Sequence, residues 1–309
     1  MKISTFTIVA GTKACNCYCP CCISKMTNSN GLDDKPQDIN WRNFDIACKL
    51  SLSSGTTTAL ITGKGEPTLQ PHLISEYVDA LKANGFPLIE LQTNGVIFNR
   101  AFRGQDQKWM DHLKEWYNNG MTLISLSVMH LNGDKNCQLM RANEKYDYWD
   151  IVDLLHGIGF AVRINLTVTK KLIFDEDEKI SYFMRNYIQK YRTEMIIACL
   201  MDRCKARNVE QLTIRNVYMP DIVDNSIFKW VGENQYDSIP IIQNLLKQYK
   251  ATELLHLGHG AIVYDVHGQN VCLNNCLTET TNPEEIRQLI FFPDGKLRYS
   301  WQYESAIII

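Results

Sequence analysis

The residues best equipped for chemistry lie near the start of the chain, in the run Ala14-Cys15-Asn16-Cys17-Tyr18-Cys19-Pro20-Cys21-Cys22. Five of the 11 cysteines fall within these eight positions from Cys15 to Cys22. Disulfides staple distant loops, whereas thiols packed this closely, in a chain with an odd cysteine count, point to metal ligation. Cys15, Cys19 and Cys22 form a C-x3-C-x2-C pattern. A loop with this spacing can wrap one iron–sulfur cubane, three thiolates holding three irons. The fourth iron then has no local protein ligand, and an open position is what separates a catalytic metal from a closed structural one. Cys17 and Cys21 are surplus to the triplet. Two other readings stand beside this one. In one, Cys19 and Cys22 seed a zinc site, completed by Cys272 and Cys276 at a longer spacing than usual. In the other, the run binds nothing, although five thiols on one loop are a reactive liability.

The elements around this loop have to position it. Short β-rich runs alternate with helix-like stretches, each pair taking roughly 30–40 residues, the pattern of βα units on a parallel sheet. Strands are expected at 4–10, 57–62, 87–92, 122–128, 161–167 and 211–217. Helices are expected at 41–53, 71–84, 107–118, 146–158, 175–207 and 237–250. Several of the strands are nearly continuous apolar or β-branched runs, as in strands covered on both faces. Six such units curl into a partial (β/α)6 TIM-like barrel, in which chemistry sits on the loops after the strands. Here those loops hold the cysteine run, residues 63–67 and residues 93–95. Beyond residue 250 the pattern changes. His267-Gly268-Gln269 and Pro293-Asp294-Gly295 mark turns between short β runs. We therefore expect a core barrel over residues 1–220 and a small β-rich C-terminal extension over 221–309, with 219–234 as the linker. The extension would cover the barrel mouth or its open edge.

Composition narrows the function classes. Of 309 residues, 45% are hydrophobic and 21% charged, with 32 Lys plus Arg against 34 Asp plus Glu. A net charge of −2 gives no electrostatic reason for a nucleic-acid or membrane partner. The first ten residues carry an apolar stretch broken by Ser4, Thr5 and Thr7, unlike a secretory signal. No run approaches the ~18 apolar residues of a membrane span. The expectation is a cytoplasmic protein.

Cys15-Asn16-x-x-Cys19-Pro20-x-Cys22 resembles the signature loop of the radical S-adenosylmethionine (radical SAM) superfamily, in spacing and in its place after the first strand. Gly63-Lys64-Gly65-Glu66-Pro67 resembles that family's Gly-Gly-Glu-Pro motif, with Lys64 at a common glycine. Leu91-Gln92-Thr93-Asn94-Gly95 resembles a further family feature at the end of the third strand. The position before the last cysteine, usually aromatic and near the adenine, is Cys21 here, and Tyr18 is the local substitute. The resemblance implies a [4Fe-4S] cluster on Cys15, Cys19 and Cys22, with S-adenosylmethionine (SAM) on its open iron. It implies reductive SAM cleavage and hydrogen abstraction through a 5′-deoxyadenosyl radical.

The same resemblance implies cofactor contacts from Gly63, Gly65 and Glu66, from Thr93 and Asn94, from Ser125 and Ser127, and from Arg163 and Asn165. Arg215 is a weaker candidate. Ser125 and Ser127 share a face of the fourth strand, and Arg163 and Asn165 a face of the fifth, by the period-two rule. The implied partners are an unidentified small-molecule, nucleotide or peptide substrate and a reductase such as flavodoxin or ferredoxin. The layout is closest to the branch containing the cyclic pyranopterin synthase. The extension lacks that enzyme's closely spaced second-cluster cysteines, so its substrate is not assigned. Cys272 and Cys276, joined by Cys199 and Cys204, raise a second cluster, against the plainer reading of small buried hydrophobes. His256, His259 and His267 read as strand or turn residues, or as substrate contacts. The rival to an enzyme is a non-catalytic zinc or iron–sulfur protein serving binding or electron transfer.

Overall fold

The computed structural model of the chain describes residues 2–174, 182–220, 226–275 and 284–309. Its first six strands are β1 (Lys2–Val9), β2 (Thr58–Thr62), β3 (Leu88–Thr93), β4 (Leu123–Val128), β5 (Ala161–Val168) and β6 (Gln211–Asn216). All six pair in parallel with their sequence neighbours. The later strands are β7 (Thr252–His256), β8 (Ile262–Val266), β9 (Gln269–Asn275), β10 (Glu285–Phe291) and β11 (Leu297–Arg298). Among the described residues they make one sheet, ordered β11-β10-β1-β2-β3-β4-β5-β6-β9-β8-β7.

The extension therefore does not sit on the barrel as a separate layer. It adds a parallel strand to each edge, β10 beside β1 and β9 beside β6. The His267-Gly268 turn does join an antiparallel hairpin, β8–β9, and both of its residues have positive φ, 51° and 93°. That is the two-residue turn whose twist matches the flanking strands. Tertiary contacts bind β10 to the main core. Phe291 meets Phe44 at 5.2 Å, and Phe44 meets Phe6 of β1 at 5.9 Å, between ring centroids.

The helices that cover the sheet start and stop on local signals. Helix α1 is one short turn, Ile23–Met26, after the cysteines. Helix α2 (Trp41–Ser53) opens where the Asn40 side chain accepts from the Asn43 N–H at 3.1 Å. Its buried Phe44, Ala47, Cys48 and Ser51 lie on one stripe. Helix α3 (Pro71–Asn84) ends at Gly85, whose φ of 89° suits a glycine C-cap. Then follow α4 (Phe98–Phe102), α5 (Gln107–Asn118), α6 (Gly133–Met140) and α7 (Tyr148–Ile158). Asp106 and Asp147 cap α5 and α7 by accepting from Lys108 and Trp149 N–H groups.

After β5 come α8 (Lys170–Ile173) and α9 (Tyr182–Ala206). Residues 175–181 of the expected long helix lie outside the described residues. The expected linker contains a helix, α10 (Ser226–Asn234), and α11 (Ile239–Gln248) follows. Val231 of α10 is buried against Met26 and Val217, so packing outweighs the weak helix propensity of residues such as Gly232 and Asn234. Among the described residues no helix is long and apolar enough to cross a membrane.

Curling brings the two halves of the sheet together around polar side chains. A cavity of about 580 Å³ is lined by Thr7, Thr62, Gln92 and Arg215 from β1, β2, β3 and β6, and by Arg287 of β10. Strands far apart in the sheet order share this space only because the sheet closes on itself. The β7–β8 turn meets β10 across the gap: a Cβ on Gly258 would lie 1.8 Å from Glu285 Oε2.

Candidate active site

The cysteine run follows β1, at the carboxyl ends of the parallel strands. Its backbone docks onto the corner after α6: Tyr18 N–H donates to Met140 O at 3.0 Å, and Asn143 N–H donates to Asn16 O at 2.9 Å. Arg141 turns that corner at a φ of 50°. Cys15, Cys19 and Cys22 carry free thiols; Cys15 is exposed and the other two are half-buried. Cys15 Sγ accepts from Cys17 N–H at 3.4 Å, and hydrogen bonding from Cys17 lowers the Cys15 thiol below its ordinary value. Burial pushes the Cys22 thiol up, with further help from Cys19. Among the described residues no three His, Cys, Asp or Glu side chains are gathered as a metal site. The triplet fits a cluster through donor chemistry: soft free thiols on one short loop, where a thiolate-ligated cubane would need them.

Residues 63–66 press against this loop. A Cβ on Gly65 would lie 2.1 Å from Ala14 O and 2.6 Å from Thr12 O, so only glycine allows the two loops to touch. A Cβ on Gly63 would lie 2.9 Å from Gly65 O and 3.1 Å from Ala10 O. Glu66 N–H then donates to Ala14 O at 2.9 Å.

The Glu66 carboxylate is buried and already engaged. Oε1 accepts from Thr68 N–H at 3.1 Å and from the Thr68 and Thr93 hydroxyls, each at 2.6 Å. Oε2 accepts from Asn94 N–H at 2.9 Å. Burial pushes this carboxyl up, against the opposing pull of those hydrogen bonds. Asn94 continues the chain of contacts: its Nδ2 donates to Asn16 Oδ1 at 2.6 Å and lies 3.9 Å from Cys15 Sγ. Glu66 thus ties the loops after β2 and β3 together, and Asn94 ties both to the cysteines.

Sequence reasoning missed several supports. Tyr146 donates its hydroxyl to Asn94 O at 2.8 Å. Asn136 Oδ1 accepts from Met129 N–H at 2.7 Å, fixing the end of β4. No local pattern marks either residue; they act at a distance along the chain. Lys64 did carry a signal, as the departure from a common glycine. Its buried ammonium donates to Thr27 Oγ1 at 2.9 Å and to Asn28 O, pinning the segment after the cysteines. Burial brings it down to about 8. Tyr18 is exposed, with Lys25 Nζ 3.3 Å from its ring centroid. Cys21 Sγ contacts Met129 Sδ at 3.8 Å.

The candidates on later strands divide. Asn165 donates to Ser125 Oγ and accepts from Arg215 Nη2 at 3.1 Å. Ser127 is half-buried, opposite Asn165 in the register. These face the barrel interior. Arg163 has a different occupation from the cofactor contact expected. Its Nη1 donates to both Glu90 oxygens, at 2.7 and 2.8 Å, and its Nε donates to Gln211 Oε1 at 2.6 Å. Glu90 and Arg163 both lie in the first halves of their strands, the end of the barrel away from the cysteines. The residues raised for a second cluster are dispersed: Cys199 is exposed on α9, Cys204 is buried in the core, Cys272 is on β9, and Cys276 lies outside the described residues.

Comparison with known proteins bears on this arrangement. Over 172 residues the chain is 24% identical to molybdenum cofactor biosynthesis protein moc-5 of Caenorhabditis elegans, covering 55% of this chain and 26% of that protein. Among solved structures, it is similar to coproporphyrinogen III oxidase (HemN) of Escherichia coli, a radical SAM enzyme, with a TM-score of 0.44 and 15% identity. That match covers 81% of this chain and 52% of the oxidase. A structure of native anSMEcpe with bound AdoMet gives a TM-score of 0.48 and 14% identity, covering 80% of this chain and 61% of that one. The chain thus spans about a quarter of the curated relative's length and between half and two thirds of these structures. The Radical SAM superfamily profile matches residues 9–183, more than half of the chain and every segment of the cysteine, glycine–glutamate and Thr93–Asn94 loops. The chain belongs to the radical SAM superfamily.

Proposed function

We propose that the protein is an enzyme that holds a [4Fe-4S] cluster on Cys15, Cys19 and Cys22 and binds SAM beside it. With SAM, the cluster supplies reductive cleavage of the sulfonium and a 5′-deoxyadenosyl radical that takes hydrogen from a substrate. The observation that carries this reading is the coupling of three loops at one barrel rim, through Gly65 against Ala14, Glu66 against Thr93 and Asn94, and Asn94 against Asn16.

Each of the chain's own residues has a share in that arrangement. Gly63 and Gly65 let the loop after β2 pack directly on the backbone around Ala10–Ala14, which sets it beside the cysteines where SAM's methionyl end would approach. Glu66, Thr93 and Asn94 hold that backbone in place, so that little reorganisation is needed on binding. Ser125, Ser127 and Asn165 offer polar groups to SAM's carboxylate and ribose from β4 and β5. Arg163 is not among these groups, because Glu90 takes its guanidinium. The cavity reaches from Ile23, Ser24 and Gly63 at the rim into the barrel, which gives a substrate a water-restricted path to the reacting carbon. Its occupant is a small molecule, a nucleotide or a peptide segment, and the electron comes from a reductase such as flavodoxin or ferredoxin.

The test is anaerobic reconstitution with iron and sulfide, then dithionite and SAM, with 5′-deoxyadenosine read by mass spectrometry. The expected result is 5′-deoxyadenosine from the native chain and none from Cys15→Ala, Cys19→Ala or Cys22→Ala. Full cluster loading without SAM cleavage would sink the proposal, and a tightly held colourless zinc would favour a non-catalytic protein.

A further inference from the structure

Asn16 stands between Cys15 and Cys17. Among the described residues, its Nδ2 is buried without a hydrogen-bond partner. The direction of this amide is fixed by its neighbours. Asn94 Oδ1 accepts from Val96 N–H at 3.0 Å, so Asn94 Nδ2 lies on the other arm of its own amide. That Nδ2 donates to Asn16 Oδ1 at 2.6 Å. Asn16 Nδ2 is therefore the arm facing away from Asn94, and turning the amide over would set two N–H donors against each other. The backbones of both residues are pinned as well. Asn16 O accepts from Asn143 N–H at 2.9 Å, and Asn94 O accepts from the Tyr146 hydroxyl at 2.8 Å.

A buried donor left unmatched is costly, and a native structure keeps one where something else completes it. The buried acid of the site does not complete it. Glu66 already takes Thr68 and Thr93 on one oxygen and Asn94 on the other. Sulfur is what the neighbouring donors meet. Cys17 N–H donates to Cys15 Sγ at 3.4 Å, and Asn94 Nδ2 lies 3.9 Å from the same atom. The thiolates and sulfides of an iron–sulfur cluster accept hydrogen bonds and donate none, so a buried N–H beside them is matched.

We infer that the Asn16 side-chain amide donates a hydrogen bond to a sulfur of the cluster carried by Cys15, Cys19 and Cys22, with Asn94 as the positioning residue that aims it. This rests on the radical SAM reading and adds to it a residue that sets the cluster's redox poise. Reduction adds negative charge to the cluster. N–H donors to its sulfurs stabilise that charge and so raise the reduction potential. The amide thereby eases entry of the electron that SAM cleavage consumes.

The test is a redox titration of the anaerobically reconstituted full chain without SAM, following the reduced cluster by electron paramagnetic resonance. Asn16→Leu, which removes the amide at similar size, is expected to move the midpoint potential to a more negative value. Asn16→Asp, which exchanges the donor for a negative charge, is expected to move it further. Gln107→Leu, an exposed control on α5, is expected to leave it in place. The potential is a property of each loaded cluster, so partial loading does not hide the shift. If neither Asn16 variant loads iron, the native chain grown with amide-15N asparagine carries the test. Nitrogen couplings to the reduced cluster are then expected from two amides, those of Asn16 and Asn94, and one coupling or none overturns the inference. An unchanged potential in both variants overturns it too, and weaker SAM binding by Asn16→Leu at that unchanged potential would assign the amide to SAM instead. SAM cleavage by the native chain separates the two claims. Cleavage with unmoved potentials removes the hydrogen bond and leaves the radical reading; moved potentials without cleavage do the reverse.

Discussion

The Thr93 hydroxyl donates to Glu66 Oε1 at 2.6 Å, joining the loops that follow two adjacent strands. The same carboxylate takes Asn94 N–H on its other oxygen. Oε1 therefore takes three donors and Oε2 one. Glu66→Gln would keep the size and place an amide N–H against one of those donors. A buried donor left unmatched costs about 1–3 kcal/mol. We expect Glu66→Gln to lose about 2 kcal/mol, read as a lower urea midpoint at unchanged slope. An unaltered midpoint would show that the tie between the loops contributes nothing.

Two glycines should respond in opposite directions to alanine. At Gly65 the new methyl would stand 2.1 Å from Ala14 O, forcing the cysteine loop away. A displacement of ~1 Å in a catalytic arrangement costs on the order of 100-fold in rate, so Gly65→Ala should lower 5′-deoxyadenosine formation by about that factor. At Gly157, inside α7, nothing lies within 4 Å of the new methyl. Gly157→Ala should raise stability by about 0.5–1 kcal/mol and leave turnover alone. Comparable turnover in the two variants would refute the contact assigned to Gly65.

The five clustered cysteines separate by role. Alanine at Cys15, Cys19 or Cys22 should remove the bound iron and the brown colour. Serine at Cys21, whose sulfur contacts Met129, should keep both. The dispersal of Cys199, Cys204 and Cys272 leads us to expect about four irons per reconstituted chain, the content of one cubane. About eight would require a second cluster.

His259 gives the protein an acid-side weakness. Burial, then Arg287 and Arg215, bring its imidazole from 6.5 down to about 4 in the folded chain. Between those values the unfolded chain binds the extra proton and the folded chain does not. Stability from this group is therefore complete above pH ~6.5 and is lost as the pH falls toward ~4. His259→Gln should flatten the dependence of the melting temperature on pH in that window. An identical slope in the variant would exclude His259 as its source.

Much of the site can be read from the chain because its signals are local. The cysteine spacing, the glycines at 63 and 65, and the run ending at Asn94 each lie on a few consecutive residues after an apolar strand. The six parallel strands of the barrel announced themselves in the same way, through β-branched runs broken by turn residues. The short α10 did not, because Gly232 and Asn234 weaken its pattern and Val231 earns its place only by packing against Met26 and Val217.

What the tertiary structure decided is which distant groups meet. Strand period alone put Arg163 and Asn165 on one face; the curl of the sheet sent Arg163 to Glu90 and left Asn165 holding Arg215. The extension's division between the two sheet edges is set by strand pairing, and Arg287 and Arg215 line one cavity because the sheet closes on itself. Hydrogen bonds and charges act over a few ångströms in space, whatever the separation along the chain, so a sequence can name such partners and only the fold can pair them.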